Sequence, residues 1–375
     1  MPSIKLPSIN MRSKALSIKA QGVGSCYCEQ LRLVKDGLAG KYEVRVNSPR
    51  KSDITHYHTV NLPYFFDRLF TRHNTVGIGY VHFLPETIDN SLSLPRLWKW
   101  FFYRYLLTFY NSMDFLVVVN PVVKRKLSYL GVDMPKVVYI PNYVSKIDFH
   151  PYAPEINAQT RAELGYAPDD FIVMGAGQLQ TRKGVADFVE TARRLPDVKF
   201  IWVGGFSFGK MTEGYEEIKK LSQNLPANVN FTGIVEREKM AGIYNIADVF
   251  FLPSFNELFP MTILEAMACA KPVLLRDLDF YECILRDNYL TGSDVDGFAS
   301  VIGTLRSDAQ ARELWSKKAC KCHKTYSEDS VLKMWERLYD NAVCLKTGKP
   351  AALGKSGYLF SLKRIITRRR INTNQ

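Results

Sequence analysis

The apolar positions of this chain fall into short runs rich in Val, Ile and Phe. Most are followed by a glycine or a polar turn and then by a segment with helical spacing. Strand then helix, repeated, is the rhythm of a parallel sheet covered on both faces. In the first half, residues 41–46, 75–81 and 115–119 read as strands and 25–37 and 122–130 as helices, with Pro141-Asn142-Tyr143 closing the unit. In the second half, residues 171–175, 199–203, 229–231, 249–252 and 272–275 read as buried strands; 185–194, 215–223, 239–246 and 262–268 read as helices. The polar, proline-bearing stretch 148–169 reads as a linker. The expected architecture is α/β: a Rossmann-like domain over residues 1–150, a second over 151–330, a helix at 331–345 packing back on the first, and a tail from 346 to 375. Ligands of such doubly wound sheets sit beyond the carboxyl ends of the strands, so the loops there are expected to carry the chemistry.

Length agrees, since 375 residues exceed what one hydrophobic core usually organises. Apolar residues make up 46% and charged residues 23%, and no run approaches the roughly 18 to 20 apolar residues of a membrane-spanning helix. Near the N-terminus, Asn10, Ser13 and Ser17 interrupt any apolar core that would make a signal peptide, so a cytoplasmic chain is expected. Seven cysteines without CxxC pairs read as reduced thiols. Charge changes the picture more. Residues 1–150 hold 20 Lys and Arg against 10 Asp and Glu, a net +10; residues 151–345 hold 22 against 27, a net −5; the last 30 hold 8 against none. Two basic ends around an acidic middle suggest an anionic partner, either nucleic acid or an acidic lipid surface.

Two segments of the second half have the makings of a site. Gly175-Ala176-Gly177-Gln178-Leu179-Gln180-Thr181-Arg182-Lys183-Gly184 joins a strand to an amphipathic helix. Gly177 permits close backbone approach, a helix start offers free N–H groups, and Arg182 and Lys183 add positive charge, which together suit a phosphate. The same sequence also makes a plain tight turn. In Pro253-Ser254-Phe255-Asn256-Glu257-Leu258-Phe259-Pro260-Met261, Glu257 falls in a loop after a strand, and Glu265 follows eight residues later on the helix that begins near Pro260. A carboxylate amid Ile263, Leu264, Ala266 and Met267 is costly unless hydrogen-bonded, whereas two carboxylates facing sugar hydroxyls are well matched. A cap for Glu257 and a surface place for Glu265 is the alternative.

With these residues, the segment 253–274 closely resembles the paired-glutamate signature of retaining glycosyltransferases of family 4, which have the GT-B fold. Together with Gly177 to Gly184 and Tyr244-Asn245-Ile246-Ala247-Asp248, the resemblance spans most of residues 141–300. It implies that Glu257 contacts the transferred sugar, Glu265 the ribose and Lys183 the diphosphate of a nucleotide sugar. The backbone of Phe259, Pro260 and Met261 would lie near sugar and phosphate. Three positions depart from the pattern: Gln178 stands where the family has an arginine, which Arg182 would have to replace; Leu258-Phe259-Pro260 replaces Gly-Phe-Gly; and Ala270 replaces a glycine. In the first half, Gly22 and Gly24 resemble the glycine-rich loop that approaches donor phosphates and acceptor across the cleft. His82, at a strand end, matches the histidine that touches the donor sugar. His56 and His58 share one short strand, at most one of them is expected to face the cleft, and no third metal ligand is evident. No metal and no cofactor beyond the donor substrate, a UDP-hexose, is expected.

Residues 95–110 interleave aromatic residues, Trp98 and Trp100 among them, with cations such as Arg104, and the tail does the same around Arg368, Arg369 and Arg370. Such segments suit an anionic membrane interface, although a helix of this kind can equally pack in a core. With Gly22-Val23-Gly24-Ser25, Thr55-His56-Tyr57-His58-Thr59-Val60-Asn61 and Tyr80-Val81-His82-Phe83-Leu84-Pro85-Glu86, the first half also resembles bacterial glycolipid synthases that add a hexose to glucosyl-diacylglycerol. That implies a lipid-linked acceptor and a peripheral place on the inner face of the cell membrane. Transfer to capsular or lipid-linked polysaccharide is the alternative within the enzyme class; nucleic-acid binding, suggested by charge alone, lacks any reading motif. The sequence leaves the oligomeric state open.

Overall fold

The structure is a computed structural model that describes residues 5–17, 22–84, 95–207, 209 and 212–348. Arg368, Arg369 and Arg370 lie outside the described residues. Two parallel sheets organise the chain, each of six strands among the described residues. The first has the order β2-β1-β3-β4-β5-β6, with β1 (Ser8–Arg12), β2 (Glu43–Val46), β3 (Ile54–Tyr57), β4 (Val76–Val81), β5 (Phe115–Val118) and β6 (Val137–Tyr139). Its helices are α1 (Gly22–Gly37), α2 (Leu62–Thr71), α3 (Arg96–Ser112) and α4 (Pro121–Tyr129). After α5 (Pro154–Glu163), the second sheet runs β12-β11-β10-β7-β8-β9, with β7 (Ile172–Ala176), β8 (Lys199–Val203), β9 (Val229–Gly233), β10 (Val249–Leu252), β11 (Val273–Arg276) and β12 (Leu290–Gly292). Around it lie α6 (Val185–Arg194), α7 (Tyr215–Ser222), α8 (Arg237–Ile246), α9 (Met261–Ala268), α10 (Asp279–Leu285) and α11 (Val295–Ser307). The helices α12 (Ala309–Thr325) and α13 (Glu328–Thr347) follow. The second sheet changes winding direction between β7 and β10, so the loops after those two strands flank the crevice where a ligand is expected.

Three expectations are corrected. The central strand β1 is absent from the sequence reading because it carries Ser8 and Asn10. Both are buried and satisfied at long range, Ser8 by Asp53 and Asn10 by the backbone of Ser48 at 2.8 and 3.0 Å. The linker contains helix α5, whose Pro154 suits a first turn that needs no N–H. Helix α1 begins at Gly22, so Gly22 and Gly24 lie in its first turn rather than in a loop before it; the N–H groups of a first turn have no intrahelical partner, and glycine costs least there.

The last described helix returns to the first sheet. Tyr339 of α13 reaches His56 at 3.1 Å, and Lys41 bonds Glu336 and Asp340 at 3.0 and 2.8 Å. Trp335 lies against Tyr80 and His56, with ring centroids 5.8 and 5.1 Å away. Beneath this helix His56 and His58 stack at 4.3 Å, and His82 stacks on Tyr80 at 4.2 Å. Two residues apart on one strand, His56 and His58 point the same way and neither is free to face a cleft; both are fully buried. Burial pushes His56 and His82 down to about 3 and His58 well below its usual value, so all three rings are neutral at pH 7.

Neutral in the folded chain and titrating near 6.5 when unfolded, these histidines bind protons preferentially in the unfolded state. Their contribution is full above about pH 6.5 and is lost as pH falls toward about 3. Urea titrations at pH 7, 6 and 5 should show unfolding free energy dropping with acid, and His58→Phe should flatten the slope. An unchanged slope in the variant would remove His58 from the account.

Candidate active site

The second-half groups expected to meet the donor phosphates lie where β7 and β10 end, while Gly22 and Gly24 lie at the start of α1 in the first half. Residues Thr181–Lys183 form a single 3-10 turn, and Gly184 then adopts φ 69°, a left-handed conformation. A Cβ there would sit 2.2 Å from the carbonyl oxygen of Pro253, so only glycine lets the loop after β7 approach the loop after β10 this closely. The Phe255 N–H donates to the carbonyl of Arg182 at 2.8 Å, joining the two loops through backbone. Gly177, at φ 152°, leaves room for the Lys183 side chain, whose Cε would lie 3.4 Å from a Cβ.

This approach sets Lys183 against Glu257. The two form a buried ion pair, Nζ to Oε1. Arg182 stands 3.7 Å from the same oxygen and donates to the carbonyl of Asn256 at 3.1 Å. Burial opposes the charge on Glu257, but the charges of Lys183 and Arg182, with the hydrogen bond from Lys183, hold its carboxyl below the usual range. Burial, with Arg182 adding to it, draws the Lys183 ammonium down against the pull of Glu257. Around this pair several buried polar atoms have no hydrogen-bond partner: both amide atoms of Gln180, the Thr181 hydroxyl, Asn256 Oδ1 and the Thr262 hydroxyl. Buried polar atoms are normally satisfied, so their concentration in these loops marks a surface built for a polar ligand.

Glu265 is only 3% exposed, which excludes a surface place for it. Its Oε1 accepts from Arg237 at 2.9 Å and its Oε2 from the Tyr244 hydroxyl at 2.8 Å, leaving each oxygen a further lone pair. The loop between the glutamates is tied to the first half. Asn120 and Asn142 donate to the carbonyls of Leu258 and Phe259, each at 2.8 Å. The oxygen of Asn142 accepts in turn from Tyr80 at 3.2 Å, and Tyr80 carries the stacked His82. The Nε2 of His82 is buried without a partner. Pro260 caps α9 and Met261 opens it; in the turn that follows Phe259 the Ile263 N–H donates to the carbonyl of Pro260 at 3.3 Å.

Sequence reading brought Lys183, Arg182, Glu257 and Glu265 to one end of the second sheet and missed Arg237, Asn120 and Asn142. Arg237 hides in Glu236-Arg237-Glu238-Lys239, a run that reads as solvated helix surface. For the asparagines the only available signal was position, each a few residues beyond a strand end.

Residues 157–321 match the family described as glycosyl transferases group 1. The chain is 42% identical over 347 residues to the alpha-galactosylglucosyldiacylglycerol synthase of Streptococcus pneumoniae, covering 92% of this chain and 91% of that one. The chain belongs to the glycosyl transferases group 1 family. It is a hexosyltransferase, and its two facing sheets make the GT-B fold. The processive diacylglycerol alpha-glucosyltransferase of Acholeplasma laidlawii is 28% identical over 268 residues, 72% of this chain and 78% of that one. A crystal structure of HepE from Anabaena, in complex with UDP and glucose, superposes with a TM-score of 0.73 at 15% identity, covering 89% of this chain and 99% of that one.

Within this glycosyltransferase two features of the site can be checked by stability alone. Ala270, which closes α9 where the family pattern has glycine, is held at φ 58°. A left-handed alanine costs roughly 1 to 2 kcal/mol, so Ala270→Gly should stabilise by about 1 kcal/mol and raise Tm by about 2 to 4 °C. A lower Tm would show that the methyl group packs usefully. The second is the buried pair: Lys183→Met strands Glu257, and breaking such pairs costs about 3 to 5 kcal/mol. Arg182 should hold the loss near the lower figure, and adding Glu257→Gln should recover most of it in urea unfolding. If the double variant is no better than Lys183→Met, the loss comes from packing of the lysine stem.

Proposed function

We propose that this enzyme moves a hexose, with retention, from UDP-glucose or UDP-galactose to a membrane glycolipid such as glucosyl-diacylglycerol. The observation that carries the donor half is the Lys183–Glu257 pair at the winding switch of the second sheet. In this reading Lys183 and Arg182 neutralise the leaving diphosphate, the N–H groups of Phe259 and Met261 on either side of Pro260 add hydrogen bonds, and Glu265 accepts from the ribose. Glu257 accepts from the transferred sugar, and the neutral His82 ring donates to it. Gly22 and Gly24, at the start of α1, leave space for phosphate and acceptor. The UDP bound in the HepE complex and the diacylglycerol named in both relatives support these assignments.

The acceptor half draws on a surface of the first domain. The second half of α3 is core, with Leu106, Phe109 and Tyr110 buried, while its start exposes Trp98 at 68% and Trp100 at 56%. Beside it α2 exposes Leu62, Phe66 and Phe70; Tyr105 of α3 donates to the carbonyl of Val60, just ahead of α2, at 2.5 Å, and its ring packs edge-on to Phe65 of α2 at 5.6 Å. Large aromatics left in water together, near the exposed Arg104, suit attachment to the headgroup level of an anionic bilayer. No helix among the described residues is long and apolar enough to cross a membrane. Attachment is therefore peripheral in this reading, on the inner face of the cell membrane where nucleotide sugars are at hand, with Arg368, Arg369 and Arg370 of the tail adding charge.

Purified enzyme with UDP-glucose or UDP-galactose and vesicles holding glucosyl-diacylglycerol should yield a dihexosyl lipid with an α-linkage, read by mass and anomeric coupling. Absence of product with either donor, or a β-linkage, would overturn the reading. Replacing Trp98 and Trp100 together by Ala should leave Tm nearly unchanged, since both are exposed, while vesicle binding falls and transfer to detergent-dispersed acceptor persists. Wild-type binding should rise with anionic lipid and weaken with salt.

A further inference from the structure

Two buried carboxylates, one from each half of the molecule, share a single guanidinium. Arg237, at the start of α8, gives one nitrogen to Glu265 at 2.9 Å and the other to Glu29 of α1 at 2.5 Å. Glu29 and Glu265 are each 3% exposed. Two carboxylates cannot be buried near one another without a cation between them, so the seating of α1 against the second domain depends on this arginine. The guanidinium is fixed in direction as well: it lies over the ring of Phe149, 5.0 Å from its centroid, and Phe149 packs edge-on to Tyr244, the other partner of Glu265. Glu29 is held from its own side by Arg32 at 2.9 Å, and Arg32 also bonds Asp148 at 2.8 Å.

We propose that Arg237 is a positioning residue that couples nucleotide binding at Glu265 to the seating of α1 through Glu29, a role that rests on the donor-site reading above. Each carboxylate takes one arm of the rigid fork, so the orientation of Glu265 before any ligand arrives is set partly by a residue of the other domain. Whatever steadies Glu265 steadies the docking of α1, and by reciprocity docking of α1 prepares Glu265. The first turn of α1, with Gly22 and Gly24, lies five to seven residues before Glu29, about 8 to 11 Å along the helix at about 1.5 Å per residue. Occupation of the ribose position is thereby felt at the edge of the cleft where phosphate and acceptor meet.

The test uses the full chain, with UDP binding by calorimetry and steady-state kinetics with UDP-hexose. Glu29→Gln keeps the shape of the side chain and removes its charge. It should raise the UDP Kd and the donor KM together by about five- to tenfold, the low end of ordinary couplings, and change kcat at saturating donor less than twofold. Arg237→Lys keeps the buried charge but cannot span both partners. It should lose a similar factor, and Glu29→Gln added to it should cost less than twofold more. UDP binding by Glu29→Gln within twofold of wild type, or losses that multiply in the double variant, would overturn the coupling, as would a lowered Tm with unchanged Kd. A wild type that neither binds UDP nor consumes UDP-hexose fails at the donor site itself, and the coupling falls with it.

Discussion

A carboxylate withdrawn from water has to be met by opposite charge or by hydrogen bonds, and the arrangement of this enzyme follows from meeting that demand at Glu257. The partner, Lys183, comes from a different strand of the same sheet, so the loops after β7 and β10 must nearly touch. They can do so only because Gly184 presents no side chain to Pro253, and because the sheet changes winding direction between those two strands. In the chain without a ligand the cation and anion neutralise one another. A diphosphate and a sugar could take over the two partners separately, the phosphate meeting the lysine and the hydroxyls meeting the glutamate, without leaving either charge stranded.

What could be read from the sequence follows the same physics. Strands β8 and β10 and helix α6 have the bounds expected, because buried parallel strands are continuous apolar runs and α6 has one clear apolar stripe. Glu265 was legible because a carboxylate among apolar neighbours demands an explanation, and Lys183 and Glu257 because they fall in loops after strands, where a doubly wound sheet places its ligands. Residues whose meaning is made by distant partners were not. Asn10 reads as a strand breaker until the backbone of Ser48 is placed beside it, and Arg237 reads as solvated until the first domain supplies Glu29. The aromatic segment around Trp98 and Trp100 was ambiguous for a different reason: α3 is core along one half and exposed along the other, and a composition shared by both halves does not say which end turns outward.

The two domains are joined more intimately than the division of the chain suggests. Asn120 and Asn142 of the first half hold the loop that follows Glu257, so the peptide groups of Leu258 and Phe259 belong electrostatically to both halves. Tyr80 links one of those asparagines to the stacked histidines below. Neutral rings in that stack avoid placing an uncompensated positive charge beneath a site already rich in cations.

Helix α13 gives the chain a particular order of assembly. Trp335 and Tyr339 cover His56 and Tyr80, which belong to the third and fourth strands. During synthesis those strands emerge early, yet their cover is made almost three hundred residues later, well after the whole second sheet has left the ribosome. The second sheet can therefore be complete before the first is sealed. The half of the molecule that begins the chain is thus sealed by the end of the described chain, and until that end is in place His56 and Tyr80 lack the cover of Trp335 and Tyr339.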